Sequence, residues 1–130
     1  MLLILERIIQ LIISLFQTKR MCIEMIKYDM IPKSIMDKGV SLKKFGILEF
    51  AWSMDDIKKI IASFAEKKIP FVGGDAYKII DDKFYQTYDS WYIDKSSEGD
   101  FYKISHKRTI AYILNYEERN EGQFMYSIIF

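Results

Sequence analysis

Hydrophobic and polar positions recur with the period of a helix in two stretches of the chain. In the first, apolar residues fall three and four positions apart at Ile57, Ile60, Ile61, Phe64 and Ala65. Ser53 can cap the start of this helix with its hydroxyl, and Pro70 cannot continue it. A second helix is predicted where one face collects Tyr102, His106, Thr109, Ile110 and Ile113.

Four other runs have the short apolar or alternating pattern that predicts strands, at residues 47–52, 71–80, 83–91 and 124–130. Between the second and third runs, Asp81 and Asp82 predict a hairpin turn that places Ile80 opposite Lys83. The same register places Tyr77 opposite Gln86 and Asp75 opposite Tyr88. Two consecutive glycines, Gly73 and Gly74, predict a bulge or a close approach of two backbones.

The order strand, helix, strand, strand, helix, strand predicts an α+β fold. We expect a ferredoxin-like βαββαβ sandwich, with an antiparallel four-stranded sheet, two helices on one face and additional N-terminal helices. Pro32 and Gly39 bracket one of these short helices. An α+β fold with a different strand pairing is the alternative. Residues 30–130 are predicted to form this single domain.

Residues 1–29 are predicted to form an amphipathic helical extension. Its apolar run is shorter than a membrane-spanning helix, and its polar residues share one side: Glu6, Arg7, Gln10, Ser14 and Gln17. We expect the helix to dock on the domain or on a second copy of the chain, which would make a homodimer. Attachment to a membrane surface, or a true start at Met21, Met25 or Met30, are the less favoured alternatives.

Composition excludes several classes of function. The 19 basic and 18 acidic residues give a net charge of +1, which does not fit a strongly basic nucleic-acid binder. A lone Cys22 gives no disulfide framework and suits a reducing cytoplasm. A lone His106 is expected to be a packed core residue, so no catalytic site, metal or cofactor is predicted.

Charge is distributed unevenly, because residues 73–100 hold seven acidic and three basic side chains. A solvated hairpin and loop would explain this pattern without any function. The alternative is a docking surface for a basic partner protein, in which Trp91 is the central aromatic residue. The predicted partner-binding residues are Asp75, Tyr77, Asp89, Trp91, Tyr92 and Asp94.

Several stretches between residue 31 and about residue 116 resemble the immunity protein 40 family of bacterial polymorphic toxin systems. The most specific are Gly73-Gly74-Asp75-Ala76-Tyr77 and Tyr88-Asp89-Ser90-Trp91, and the others are Ile35–Leu42, Ala51-Trp52 and Ile69–Val72. The resemblance implies a cytoplasmic, non-enzymatic protein that binds a cognate toxin and blocks it. The alternative is a ferredoxin-like module that binds a small ligand or forms a regulatory homo-oligomer. A concave apolar pocket at Gly73–Tyr77 would favour the alternative, and a flat acidic face would favour the inhibitor.

Overall fold

The structure, a computed structural model, describes the backbone of residues 2–96 and 99–130 and the side chains of residues 4–15, 27–96 and 99–130. The described helices are α1 (Leu2–Tyr28), α2 (Lys33–Met36), a 3₁₀ helix (Lys43–Phe45), α3 (Met54–Lys67) and α4 (Phe101–Arg119). The strands are β1 (Val40–Ser41), β2 (Phe50–Ala51), β3 (Gly73–Ile80), β4 (Lys83–Tyr92) and β5 (Gln123–Ile129). The chain divides into two compact units, Met1–Met30 and Ile31–Phe130. Of the polar loop predicted before α4, residues 97 and 98 lie outside the described residues.

The first unit is essentially the helix α1, which is 27 residues long. Along residues 4–15 every side chain is exposed, including the large apolar side chains of Ile4, Leu5, Ile8, Ile9, Leu11, Ile12, Ile13 and Leu15. The polar residues Glu6, Arg7, Gln10 and Ser14 belong to this stretch, whereas the side chains of Gln17 and Cys22 lie outside the described residues. None of the helices in the described part of the chain is long and apolar enough to cross a membrane.

Helix α3 begins and ends where its sequence predicts. The backbone N–H of Asp56 donates to Ser53 Oγ over 3.3 Å, which satisfies one of the free donors of the first turn. At the other end, Lys68 has a positive φ of 55°, and the chain then leaves the helix before Pro70. The apolar face of α3 supplies Ile57, Ile60 and Phe64, all fully buried, to the core.

The strands confirm an α+β fold, but they form two antiparallel sheets of two and three strands. The larger sheet has the order β4-β3-β5, and the smaller pairs β1 with β2. The predicted ferredoxin-like four-stranded sheet is therefore not confirmed. Its expected first strand, residues 47–52, is reduced to β2 because Leu42 N–H bonds to the Glu49 carbonyl and folds this segment onto β1.

A short bridge links the segment after β2 to the last strand. Trp52 and Tyr126 exchange two backbone hydrogen bonds of 2.8 and 2.7 Å, but the ladder does not extend beyond this pair. Strand β5 thus pairs fully with β3 on one edge and with a single residue on the other. Strand β5 contains no charged residue. Burial of Phe124, Tyr126, Ser127 and Ile128 accounts for that composition.

The two faces of the three-stranded sheet are covered by different parts of the chain. On one face, Trp91 and Tyr126 pack against α4, where Trp91 stacks on Tyr112 with ring centroids 4.8 Å apart. On the other face, Tyr77 packs with Leu42 and Ala51. Phe45, Ile47, Phe84 and Met125 are partly buried against this second cluster. The predicted sandwich assigned no cover to the second face, which the segment around β1 and β2 supplies.

Candidate partner-binding surface

The hairpin of β3 and β4 turns at the two residues that the sequence indicates. Asp81 and Asp82 have φ angles of 50° and 63°, as a type I′ turn requires. Asp tolerates this conformation better than most residues other than glycine. The register is confirmed near the turn, where Ile80 lies opposite Lys83 and Tyr77 opposite Gln86.

Beyond Gln86 the predicted register is wrong, because β4 contains a β-bulge. Asp75 lies opposite Ser90 instead of Tyr88, so three residues of β4 face Ala76 alone. The hydroxyl Oγ1 of Thr87 donates to the Ala76 carbonyl over 2.7 Å and accepts from the Asp89 N–H over 3.1 Å. These two bonds replace the lost ladder bonds and fix the bulge.

Two of the predicted partner-binding residues lie inside the protein. Trp91 is 9% exposed, and its indole Nε1 donates to Thr109 Oγ1 over 3.3 Å. Tyr77 is 3% exposed and belongs to the core cluster on the other face of the sheet. Burial of the Tyr77 phenol, together with the nearby charge of Asp75, raises its pKa to about 12. Both side chains therefore position the hairpin from within.

The close approach predicted at the glycine pair is confirmed at Gly74. A Cβ there would collide with the Ser127 carbonyl oxygen and with the indole of Trp91. The indole thus fills the space over Gly74. At the glycine end of Gly73–Tyr77 the indole leaves no space for an apolar pocket, whereas a cleft lined in part by Asp75, Ala76 and Tyr77 opens further along β3.

The other predicted residues reach solvent. Tyr92 is 75% exposed, and Asp89 and Asp94 are also exposed. Asp75 is half-buried and accepts one long hydrogen bond, 3.5 Å, from Ser127 Oγ. Burial raises the pKa of the Asp75 carboxyl above its usual range.

Tyr88 is the exposed residue that the sequence reasoning missed. It is 88% exposed at the tip of the bulge, and its φ of 62° lies in the left-handed region. A bulky residue rarely adopts this conformation, which costs about 1 kcal/mol or more. The triplet Thr87-Tyr88-Asp89 offered one local signal, since a Thr hydroxyl can bond the backbone two residues on.

Asp89 connects the bulge to helix α4. The Tyr116 hydroxyl donates to Asp89 Oδ2 over 2.8 Å, which holds the carboxylate at the base of the bulge. A cleft of about 180 Å³ opens on one side of it, lined by Ile47, Asp75, Ala76, Tyr77, Gln86, Tyr88 and Asp89. We call this the hairpin cleft. A second cleft of about 360 Å³ lies toward α4 and is lined by Asp89, Tyr112, Asn115, Tyr116, Arg119 and Asn120.

His106 is buried on α4, as the sequence predicts for a core histidine. Its Nε2 lies 2.7 Å from the Ile69 carbonyl, and its ring packs 4.8 Å from that of Phe71. The carbonyl can only accept, so Nε2 carries the proton. Among the described residues, no three His, Cys, Asp or Glu side chains form a group that could hold a metal ion.

Fold and surface together define an α+β protein whose hairpin presents exposed tyrosines beside carboxylates. The chain belongs to the immunity protein 40 family, whose model matches residues 41–130. The match confirms the resemblance drawn from the Gly-Gly-Asp and Tyr-Asp-Ser-Trp stretches, and it extends through β5. No curated protein and no solved structure matches the chain.

Proposed function

We propose that this immunity protein binds the toxin encoded beside its own gene in the bacterial cytoplasm and neutralises it by binding, without catalysis. Membership of the immunity protein 40 family supports this function. The observation that carries the site is the bulge of β4, which the two Thr87 hydrogen bonds fix and which holds Tyr88 at 88% exposure next to Asp89. Large aromatic residues on a fixed backbone lose little entropy on binding and often dominate interface energies.

The predicted site residues take different roles in this proposal. Tyr92, Asp89 and Asp94 are exposed and contact the toxin directly, and Asp75 lies deeper in the hairpin cleft. Trp91 and Tyr77 are buried and hold the hairpin in place. Trp91→Ala would remove core packing, so it is a poor probe of the interface.

The open edge of β4 bears on how a toxin could bind. Ile80 and Lys83 flank the two-residue turn and therefore form a hydrogen-bonded pair. Phe84 belongs to the next pair, so its backbone N–H and C=O point away from β3. The Phe84 carbonyl is already bonded by Lys44 Nζ, and the bulge interrupts the edge beyond Gln86. This arrangement favours contact through side chains over the addition of a toxin strand.

Cell protection and binding together test the proposal. Cells that produce the neighbouring toxin should survive when the parent chain is present, and the purified proteins should form a stable complex. Asp89→Lys with Asp94→Lys should slow association, because acidic side chains steer a basic partner over a screening distance of ~8 Å. Glu66→Lys with Glu118→Lys makes the same change of charge at exposed sites outside the hairpin. The proposal fails if the parent neither protects cells nor binds the toxin.

The exposed apolar side chains of α1 favour a second activity, self-association into a homodimer. Residues 4–15 expose more large apolar side chains than a soluble helix ordinarily leaves in water. Sedimentation of the full chain tests this. Ile8→Glu with Ile12→Glu should lower the mass of a dimer to that of a monomer, and a parent that sediments as a monomer at all concentrations contradicts it.

A further inference from the structure

The hairpin cleft combines two carboxylates with aromatic walls. Its lining includes the acidic residues Asp75 and Asp89 and the aromatic residues Tyr77 and Tyr88, of which Tyr88 is exposed and Tyr77 is buried. Its volume of about 180 Å³ suits one side chain of a partner better than a drug-sized ligand, which needs at least roughly 300 Å³. The cleft therefore has the size to bind one side chain of a partner protein.

The chemistry of the cleft specifies a cation. None of its seven lining residues is Lys or Arg. In the described part of the chain, Asp75 forms no ion pair, and Asp89 is held by the neutral hydroxyl of Tyr116. A half-buried carboxylate without a counter-charge is costly, and a cation that enters the cleft would remove that cost. The exposed ring of Tyr88 can add cation–π attraction.

The backbone at Tyr88 is strained, and Tyr88 is one of the residues that line the cleft. The left-handed φ of 62° would be relieved by glycine, yet a tyrosine occupies the position and its side chain is almost fully exposed. Strained residues of this kind persist when their neighbours fix them, and they concentrate at binding sites. Here the bonds of Thr87 to Ala76 and Asp89 fix the bulge, in which Tyr88 is one of the residues that line the cleft.

We propose that the hairpin cleft receives a lysine or arginine side chain of the partner protein, with Asp75 and Asp89 as its counter-charges and Tyr88 as the aromatic residue that covers it. This inference rests on the proposed function, because the cation belongs to the bound toxin. It adds a residue, Tyr88, and a chemical class for the group that the hairpin recognises.

A small probe tests the cleft without the toxin. N-acetyl-arginine amide and its neutral counterpart, N-acetyl-citrulline amide, are titrated into the labelled full chain and followed by NMR. The arginine probe should shift the amide signals of residues 75–77 and 86–89 more than the citrulline probe does. The selective shift should disappear in Asp75→Asn. Equal shifts with both probes, or none with either, overturn the inference whatever the toxin does.

Binding of the toxin provides the second test. Tyr88→Gly should weaken the complex about 30-fold, the equivalent of about 2 kcal/mol, while the thermal midpoint of the free chain stays the same or rises. Tyr85→Ala removes another exposed tyrosine of β4 and serves as the matched control. Asp75→Asn should weaken binding and yet stabilise the free chain, because the half-buried charge is lost. If Asp75 had a purely structural role, Asp75→Asn would instead destabilise the free chain.

The outcomes separate the two proposals. If the parent binds the toxin, and the Tyr88→Gly and Asp75→Asn variants bind it with the same affinity, the proposed role of the cleft is overturned. The immunity function then still stands. A parent that binds no toxin, but takes up the arginine probe selectively, contradicts the immunity function and supports the cleft as a cation site.

Discussion

The ammonium group of Lys44 donates a hydrogen bond of 2.9 Å to the backbone carbonyl of Phe84. Its Nζ also lies 5.6 Å from the centre of the Phe84 ring and 4.9 Å from that of Phe45. A side chain from the segment between β1 and β2 thus occupies a main-chain acceptor on the open edge of β4. Lysine at an edge and a bulge within the strand are two known protections against edge-to-edge pairing.

Removal of both protections should allow the open β4 edges of two molecules to pair with each other. We expect Lys44→Ala combined with deletion of Thr87 and Tyr88 to sediment as larger species than the parent at equal concentration. The deletion removes the two extra residues, so β4 would offer a continuous row of free donors and acceptors. Lys43→Ala with the bulge intact is the control. A variant that keeps the parent's sedimentation profile would show that other features of the chain prevent the β4 edge from pairing with a second molecule.

Local signals predicted the parts of the hairpin that depend on adjacent residues. The turn at Asp81 and Asp82 and the register as far as Gln86 follow from turn chemistry and strand period. The bulge depends on a bond between Thr87 and Ala76, which lie on different strands. No pattern within β4 alone specifies that bond, so the predicted pairing of Asp75 with Tyr88 was wrong.

The sequence indicated the hairpin as the candidate surface, but it did not indicate which of the hairpin's side chains are exposed. Charge and aromatic content located the hairpin, but they cannot tell which aromatic residue faces inward. Trp91 turns inward because Gly74 has no side chain on the neighbouring strand. The sequence shows both the glycine pair and the tryptophan. That Gly74 lies opposite Trp91 follows only from the pairing of β3 with β4 in the folded sheet.

Gly74→Ala should destabilise the fold strongly. The added methyl group would collide with the Ser127 carbonyl oxygen, which is part of the β5 backbone, and with the Trp91 indole. Overpacking of this kind costs about 2 kcal/mol. Urea unfolding measures the difference, and Gly99→Ala is the control because a Cβ there meets no atom within 4 Å. Equal midpoints for the two variants would contradict the close approach.

Tyr126→Phe should leave stability unchanged or raise it. Among the described residues, the Tyr126 hydroxyl is the buried side-chain group that lacks a hydrogen bond of ordinary length, although burial and the neighbouring Glu117 carboxylate both raise its pKa. Its removal relieves an unsatisfied polar group, whereas Tyr116→Phe deletes the 2.8 Å bond to Asp89. We expect the first variant to unfold at the parent's urea midpoint or above it, and the second to lose about 1 kcal/mol. The reverse order would mean that the Tyr126 hydroxyl is hydrogen-bonded in solution.

Residues 1–29 should be dispensable for the fold of the remaining domain. Ile31–Phe130 is a compact unit that contains all the strands described. A chain that begins at Met30 should therefore retain a single cooperative thermal transition and the near-ultraviolet signal of Trp52 and Trp91. Loss of that transition would make α1 an integral part of the core.

Stability should fall as the pH is lowered from 7.5 to 5.5, because of His106. Burial disfavours the imidazolium ion and lowers the His106 pKa below the ordinary value of 6.5. Above about pH 6.5 the histidine is neutral in both the folded and the unfolded chain, so its contribution is fully present. Below that pH the unfolded chain binds a proton that the folded chain resists, and stability is lost until the lower, folded pKa is reached.

The raised pKa of Asp75 acts in the opposite direction, since it makes the folded chain hold a proton more tightly than the unfolded chain does. Asp75→Asn can serve as the background in which the histidine is measured. Urea unfolding at several pH values then compares this variant with one that also carries His106→Gln. The second should have the shallower dependence on pH and a lower stability at pH 7.5, because the bond to the Ile69 carbonyl is disturbed. Equal slopes would show that His106 is protonated as easily in the folded chain as in the unfolded one.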